Sequence, residues 1–333
     1  MFEVTHYRWG FDLINVNSVE GLSWRIPGPD VAILREEDDA MPAQLFFASQ
    51  HLNDLDDIAD VVARGNILKA LFDGAYFLDI GRCHRPEPLG VVWDLRNDSR
   101  RGKPDPAPGI KPFSPKKCAQ PMTQTEAARV LNGFAEGAIY TSRTDAAVFG
   151  MLLTLGRDGV DWRTLYALTD TMKTNGMNLE RQWQAAGSSK AEYELFKRTA
   201  NSFAVLGPDA RHGETRNQPP PKPIAFDRAA DIVLGAASAF VKARTLRATA
   251  TLASARTPMV TRSLPSPTAQ FTALQSDETK KRDLNGDGET LPQDHHAAAA
   301  SSASKKGKTL VILSAAALAG VALAKSLSRG RSR

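Results

Sequence analysis

Six prolines, at 104, 106, 108, 112, 115 and 121, fall within residues 99–121, and the texture of the chain changes across them. Proline fixes φ and removes a backbone donor, so this stretch suits neither a helix interior nor a central strand. It reads as an extended linker or a wrapping segment. It also sets the expected boundary, with strands and one helix before it and helices after it.

On the N-terminal side, residues 2–7, 11–16, 22–26, 31–34 and 44–48 are short runs rich in β-branched and aromatic residues. Asn-Ser, Pro-Gly-Pro and the acids Glu36, Glu37, Asp38 and Asp39 punctuate them as turns. Asn53 or Asp54 then opens a helix. Its broad apolar face holds Leu55, Ile58, Val62, Ile67, Leu68 and Leu71, and Gly74 ends it. Residues 76–80 and 89–95 read as two further strands. Residues 1–100 are thus expected to form a small α+β domain. Asp54, Asp56, Asp57 and Asp60 have the composition of a metal cluster, but carboxylates at a helix start favour the macrodipole and need no metal.

From Met122 onward the pattern is helical. Thr123 or Thr125 caps a helix over 124–139, Thr144 one over 145–157, and Asp161 one over 162–173. Ser189 and Glu192 have capping-box spacing for the next helix. After the prolines of 219–223, residues 224–246 form a long apolar helix. A helical bundle over 122–246 is the expected second domain, so the fold class is α+β followed by an α-helical bundle.

The net charge is +5, but residues 301–333 hold seven basic side chains and no acids, which leaves −2 for residues 1–300. Overall basicity is therefore no argument for nucleic-acid binding by the body. Two cysteines, Cys83 and Cys118, supply neither a disulfide framework nor a zinc set, and reduced cytosolic thiols are expected. The N-terminus lacks a basic region followed by an apolar run, so no secretory signal is expected. No Walker, Rossmann, nucleophile-elbow or zinc spacing occurs. No cofactor is expected.

Residues 247–308, rich in Ala, Ser, Thr and Pro, read as a disordered linker. Within it Asp283, Asn285, Asp287 and Asp294 match the first half of a calcium loop, with Gly288 at the glycine position. Pro292 inside the loop and the single copy favour a turn in the linker. Residues 309–324 are uncharged and are flanked by Lys308 and Lys325. As a helix they reach about 24 Å, against roughly 30 Å of hydrocarbon. A membrane anchor holding a cytoplasmic body and a surface-lying or partner-bound helix are both compatible with that length.

One cluster can handle a phosphate or a proton. Arg198 and Asn201 lie one turn apart near a helix end, and Arg211, His212 and Gly213 follow a polar turn. Several helices, then Phe-Lys-Arg198-Thr-Ala-Asn201, then Ala-Arg211-His212-Gly213, a proline-containing segment and a final helix with Asp-Arg-Ala-Ala resemble the HEPN superfamily of helical domains over residues 122–246. The family carries Arg, a polar residue, and His four to six residues after the Arg. Here Arg198 and His212 are fourteen apart, with residues 202–210 inserted. The resemblance implies a four- or five-helix bundle, dimerisation through those helices and, in active members, metal-independent cleavage of RNA. Carried over, His212 would be the general acid/base, Arg198 or Arg211 the phosphate clamp and Asn201 the orienting group. Many relatives are non-catalytic binding modules. In that role His212 would bond its own turn and Arg198 would pair with Glu194. The expectation is an interaction or regulatory module held near a membrane, with ribonuclease activity as the alternative.

Overall fold

In the computed structural model, residues 6–13, 28–38, 41–213, 218–250, 252 and 309–310 are described. Five strands, β1 (Trp9–Leu13), β2 (Ala32–Asp38), β3 (Met41–Ala48), β4 (Leu89–Asp94) and β5 (Ser99–Gly102), form an antiparallel sheet in the order β5-β4-β1-β3-β2. Phe11, Ile33, Leu45 and Phe47 turn to the helices, while Ala32, Leu34, Phe46 and Ala48 belong to a separate cluster with Tyr7, Trp93 and Leu95. The two clusters follow from the period of two along a strand. β5 lies at the edge of the proline-rich stretch, where no strand was expected. A two-residue strand, β6 (Thr309–Leu310), pairs with Glu37 and Glu36 of β2, so the expected tail helix does not begin at 309. The rest of that helix, the linker and the calcium-like loop lie outside the described residues.

The centre of the molecule is α1 (Ile58–Ile80), which between Val61 and Leu78 is buried on nearly every side, with Asn66 exposed. Asp57, rather than Asn53 or Asp54, caps it by accepting from the Ala59 amide at 2.8 Å. Gly74 does not end it, and residues 76–80 are its last turns rather than a strand. A Cβ on Gly74 would sit 1.9 Å from the Leu152 carbonyl oxygen, and one on Gly156 would sit 1.8 Å from that of Ala70. Two glycines, one from each helix, therefore let α1 and α5 (Ala146–Asp158) touch backbone to backbone. Gly65 makes room in the same way for the Phe11 ring, whose nearest atom would be 2.4 Å from a Cβ there. A helix buried on nearly all faces has no amphipathic period, and for that reason its second half resembles a buried strand in sequence.

The remaining helices are α2 (Pro115–Cys118), α3 (Gln124–Asn132), α4 (Phe134–Ser142), α5, α6 (Trp162–Thr174), α7 (Leu179–Ala185), α8 (Lys190–Ala200), α9 (Phe203–Leu206) and α10 (Phe226–Ala248). The Thr123–Glu126 capping box and the Asp161 and Ser189 caps form where expected or nearly so. Glu192 differs. Its carboxylate bonds Ser188 and Arg228 instead of closing a reciprocal box. The single helix expected over 124–139 breaks at Gly133, and Asp145 caps α5 in place of Thr144.

Residues 101–121 do not separate two packing units. One apolar core runs from Trp9, Phe11 and Phe47 through Leu71 to Leu152, Leu168, Phe196 and Val233, and the described residues on both sides of the segment belong to one compact unit. The proline-rich segment is a strap laid over the start of α1. The Ala107 amide donates to the Ala59 carbonyl at 3.1 Å, and Arg64 Nε donates to the Lys111 carbonyl at 2.8 Å. Proline makes a strap cheap to order, because little backbone freedom remains to be lost.

Candidate functional site

The strap ends on a buried polar network. His51, fully buried, lies 2.7 Å through Nε2 from Asp30 Oδ1, and its Nδ1 accepts from the Ser114 amide at 3.1 Å. An amide can only donate, so the shared proton sits on Nε2 and the ring is neutral. Burial pushes the His51 pKa down, against the opposing pull of Asp30. Arg143 Nε donates to the same Asp30 oxygen at 2.6 Å, and its Nη2 lies 2.5 Å from it in ion-pair contact. Burial works to raise the Asp30 carboxyl, but the bonds from His51 and Arg143 outweigh it and hold the pKa below the ordinary value. Asp54 takes Arg64 and Ser114, and Arg64 also donates to the His51 carbonyl. The acids of the run 54–60 are thus partly engaged by protein cations and caps, and no metal-binding group occurs among the described residues. With both imidazole nitrogens occupied and no exposed edge, His51 is a structural residue.

Its titration has a defined sign. A histidine kept neutral by the fold binds a proton more weakly folded than unfolded. Its stabilisation is therefore complete above the unfolded pKa near 6.5 and is lost as pH falls towards the folded value. Asp30 adds a second loss at lower pH, as its depressed pKa is approached. The unfolding free energy read from urea denaturation should fall between pH 7 and 5, by up to about 1.4 kcal/mol per pH unit within the His51 window. His51→Gln should flatten that slope.

The residues singled out at 198–213 lie elsewhere. Arg198 is exposed on α8 and has no ion pair among the described residues, because Glu194 pairs with Lys197 at 2.7 Å. The expected Arg198–Glu194 pair does not form. Asn201 is the C-cap of α8. The inserted residues 202–210 fold into α9 and a tight 3-10 turn, Gly207–Asp209, tied to α6 by a bond from Arg163 to the Pro208 carbonyl. The chain then returns to its starting point, where the Arg211 amide donates to the Ala200 carbonyl at 2.9 Å. Residues eleven apart in sequence become neighbours, and Arg211 stands at the end of the helix that carries Arg198 and Asn201.

The Arg211 guanidinium lies 4.2 Å over the Tyr166 ring and 3.1 Å from Asp170 Oδ2, both on α6. His212 is exposed and makes no hydrogen bond among the described residues, so it does not bond its own turn. Oδ1 of Asn201 and Oγ of Ser202 are buried without a hydrogen bond at the closure of the insertion. Such atoms are uncommon in folded proteins. The backbone closure therefore returns Arg211 to the end of α8, while its guanidinium is engaged by Tyr166 and Asp170 on α6.

Two polar groups escaped the sequence reading. Asp30, His51 and Arg143 are too far apart in sequence to be grouped before the fold is known. Lys69 and Asp73, an i, i+4 pair on α1 with His84 bonded to it, carried a readable helical spacing. Family models, curated proteins and solved structures yield no match to the chain. Among the described residues no helix is long and apolar enough to cross a membrane.

Proposed function

We propose that the chain is a HEPN-like interaction module whose Arg198, Arg211 and His212 edge takes a phosphate-bearing partner, RNA. The observation that carries this reading is the Arg211–Ala200 hydrogen bond. It returns the backbone at Arg211 to the end of α8 after residues 202–210, which supports a shared use of groups that the insertion separates in sequence. Arginine suits the role because its planar fork matches phosphate oxygens and stays charged. Dimerisation through the helices and tethering by the segment 309–324 belong to the same proposal and rest on the family resemblance and the tail composition.

In fluorescence anisotropy with single-stranded RNA, the double variant Arg198→Ala/Arg211→Ala should bind about tenfold more weakly. Its log–log salt slope should be shallower by roughly 1.4, the value for two lost phosphate contacts on a single strand. An unchanged affinity and slope would refute the edge as the binding site. Asp170→Asn should act in the opposite sense. Freeing Arg211 from a half-exposed ion pair should tighten binding about two- to fivefold, in keeping with the small worth of such pairs.

The same closure favours a second reading, RNA cleavage. His212 would move a proton during attack of the 2′-hydroxyl, and an arginine would meet the charge gathering on the phosphate. Cleavage that is lost in His212→Ala with RNA binding retained would support it. Cleavage that persists in that variant would exclude His212 as the acid/base.

A further inference from the structure

The turn after α1 builds a second polar site, independent of the α8 edge. Arg82, His84 and Arg85 line an open pocket of about 350 Å³ together with Phe77, Pro86 and Val160. Behind its wall Asp73 is buried, and both its oxygens accept from Lys69 Nζ, at 2.7 and 2.6 Å. His84 Nε2 bonds the same carboxylate at 2.9 Å. Asp73 does not line the pocket and His84, itself only 4 % exposed, does, so His84 links the buried ion pair to the pocket wall.

The chemistry of this arrangement is directional. A carboxylate that accepts from one ring nitrogen fixes the tautomer and leaves the lone pair on the other. For His84 that other atom is Nδ1, which has no partner among the described residues. The ring cannot easily turn away, since Phe77 meets it edge-on with centroids 5.0 Å apart and Tyr76 lies 5.6 Å off. A buried Lys–Asp pair gives little net stability for its desolvation cost, so its presence behind a histidine calls for a reason beyond stability.

Two cations line the same pocket. Arg82 is committed to α10, with Asp227 at 2.5 Å, Asp231 at 4.0 Å and the Phe226 ring beneath it. It braces the rim. Arg85 is the available cation. Nη1 donates to the Arg82 carbonyl at 2.9 Å, which fixes the guanidinium, and the other two nitrogens have no partner among the described residues. The charged and titratable groups around His84 are thus Lys69 and Asp73 on α1, Arg82, Arg85 and Glu87 in the turn, and Asp227 and Asp231 on α10. Phe77, Pro86 and Val160 supply an apolar wall beside this polar end.

We propose that this pocket binds a small phosphate monoester. Arg85 and the Nδ1 side of His84 hold the phosphate, and the organic part lies on Phe77, Pro86 and Val160. Lys69 and Asp73 are positioning residues, acting through the orientation of His84. No phosphorus–oxygen or carbon–oxygen bond is made or broken; the only transfer is of a proton, from the O–H of the phosphate monoanion to His84 Nδ1 on binding and back on release.

The test uses the full chain with ¹⁵N-labelled histidine, titrated with inorganic phosphate and with adenosine monophosphate. Both should move the His84 Nδ1 resonance saturably towards the imidazolium position, with the nucleotide binding at least tenfold more tightly. Arg85→Gln, an exposed change that leaves the core intact, should weaken both ligands about tenfold. Arg198→Ala/Arg211→Ala should leave both titrations unchanged, which separates this site from the RNA-binding edge. A His84 resonance unmoved by either ligand would overturn the proposal, as would equal movement in Arg85→Gln. Equal affinities for phosphate and nucleotide would refute the part assigned to the apolar wall.

Discussion

Gly74→Ala is expected to lower stability by about 3 kcal/mol, at the upper end of overpacking costs, although alanine is the better helix former. The added methyl would lie inside the radius of the Leu152 carbonyl oxygen, and that oxygen belongs to the backbone of a packed helix. Relief requires α1 and α5 to separate, which opens the contact on which the whole helical layer rests. Gly156→Ala should behave alike from the other side. Gly150, on the same helix α5, is the control. A Cβ there meets nothing within 4 Å, so Gly150→Ala should stabilise by roughly 0.5–1 kcal/mol. Urea denaturation separates the three. Equal effects at 74, 150 and 156 would mean that propensity rather than close approach governs this helix pair.

The second large effect is expected at Arg143. Arg143→Met removes the cation facing Asp30 and leaves a carboxylate that is 2 % exposed, held only by His51 through one oxygen while the other is already without a partner. Breaking a buried pair from one side costs about 3–5 kcal/mol, because a charge is stranded. Asp30→Asn/Arg143→Met removes that charge as well and should recover a large part of the loss. The coupling between the two substitutions, read from thermal or urea unfolding, should be positive and well above 1 kcal/mol. Simple additivity would show that Asp30 and Arg143 act separately.

These two cases also show what was legible in the sequence. Caps are local, and Thr123, Asp161 and Ser189 marked helix starts correctly because a cap is satisfied within one turn of chain. Strands β1, β3 and β4 were placed by β-branched and aromatic composition to within a few positions, whereas β2 runs on through Glu36, Glu37 and Asp38, where a turn was expected. Gly74 misled, since a glycine that ends a helix and a glycine that admits a neighbouring helix look the same until the neighbour is in place. The proline-rich segment was marked as extended, which fits it except at the short helix α2, but whether it separates or straps depends on Ser114, Arg64 and His51, which meet only in three dimensions. At the candidate site the residue types were readable and their juxtaposition was not. The insertion 202–210 appeared to part Arg198 from Arg211, and a single backbone hydrogen bond brings the chain at Arg211 back to Ala200.

The central functional claim is that RNA is met by the end of α8 and not by the basic tail. Hydrogen–deuterium exchange on the full chain, with and without single-stranded RNA, tests it directly, because the two regions lie on separate peptides. Protection over residues 198–212 that disappears in Arg198→Ala/Arg211→Ala is the predicted result. Protection confined to residues 305–333, with 198–212 exchanging as in the free protein, would contradict it.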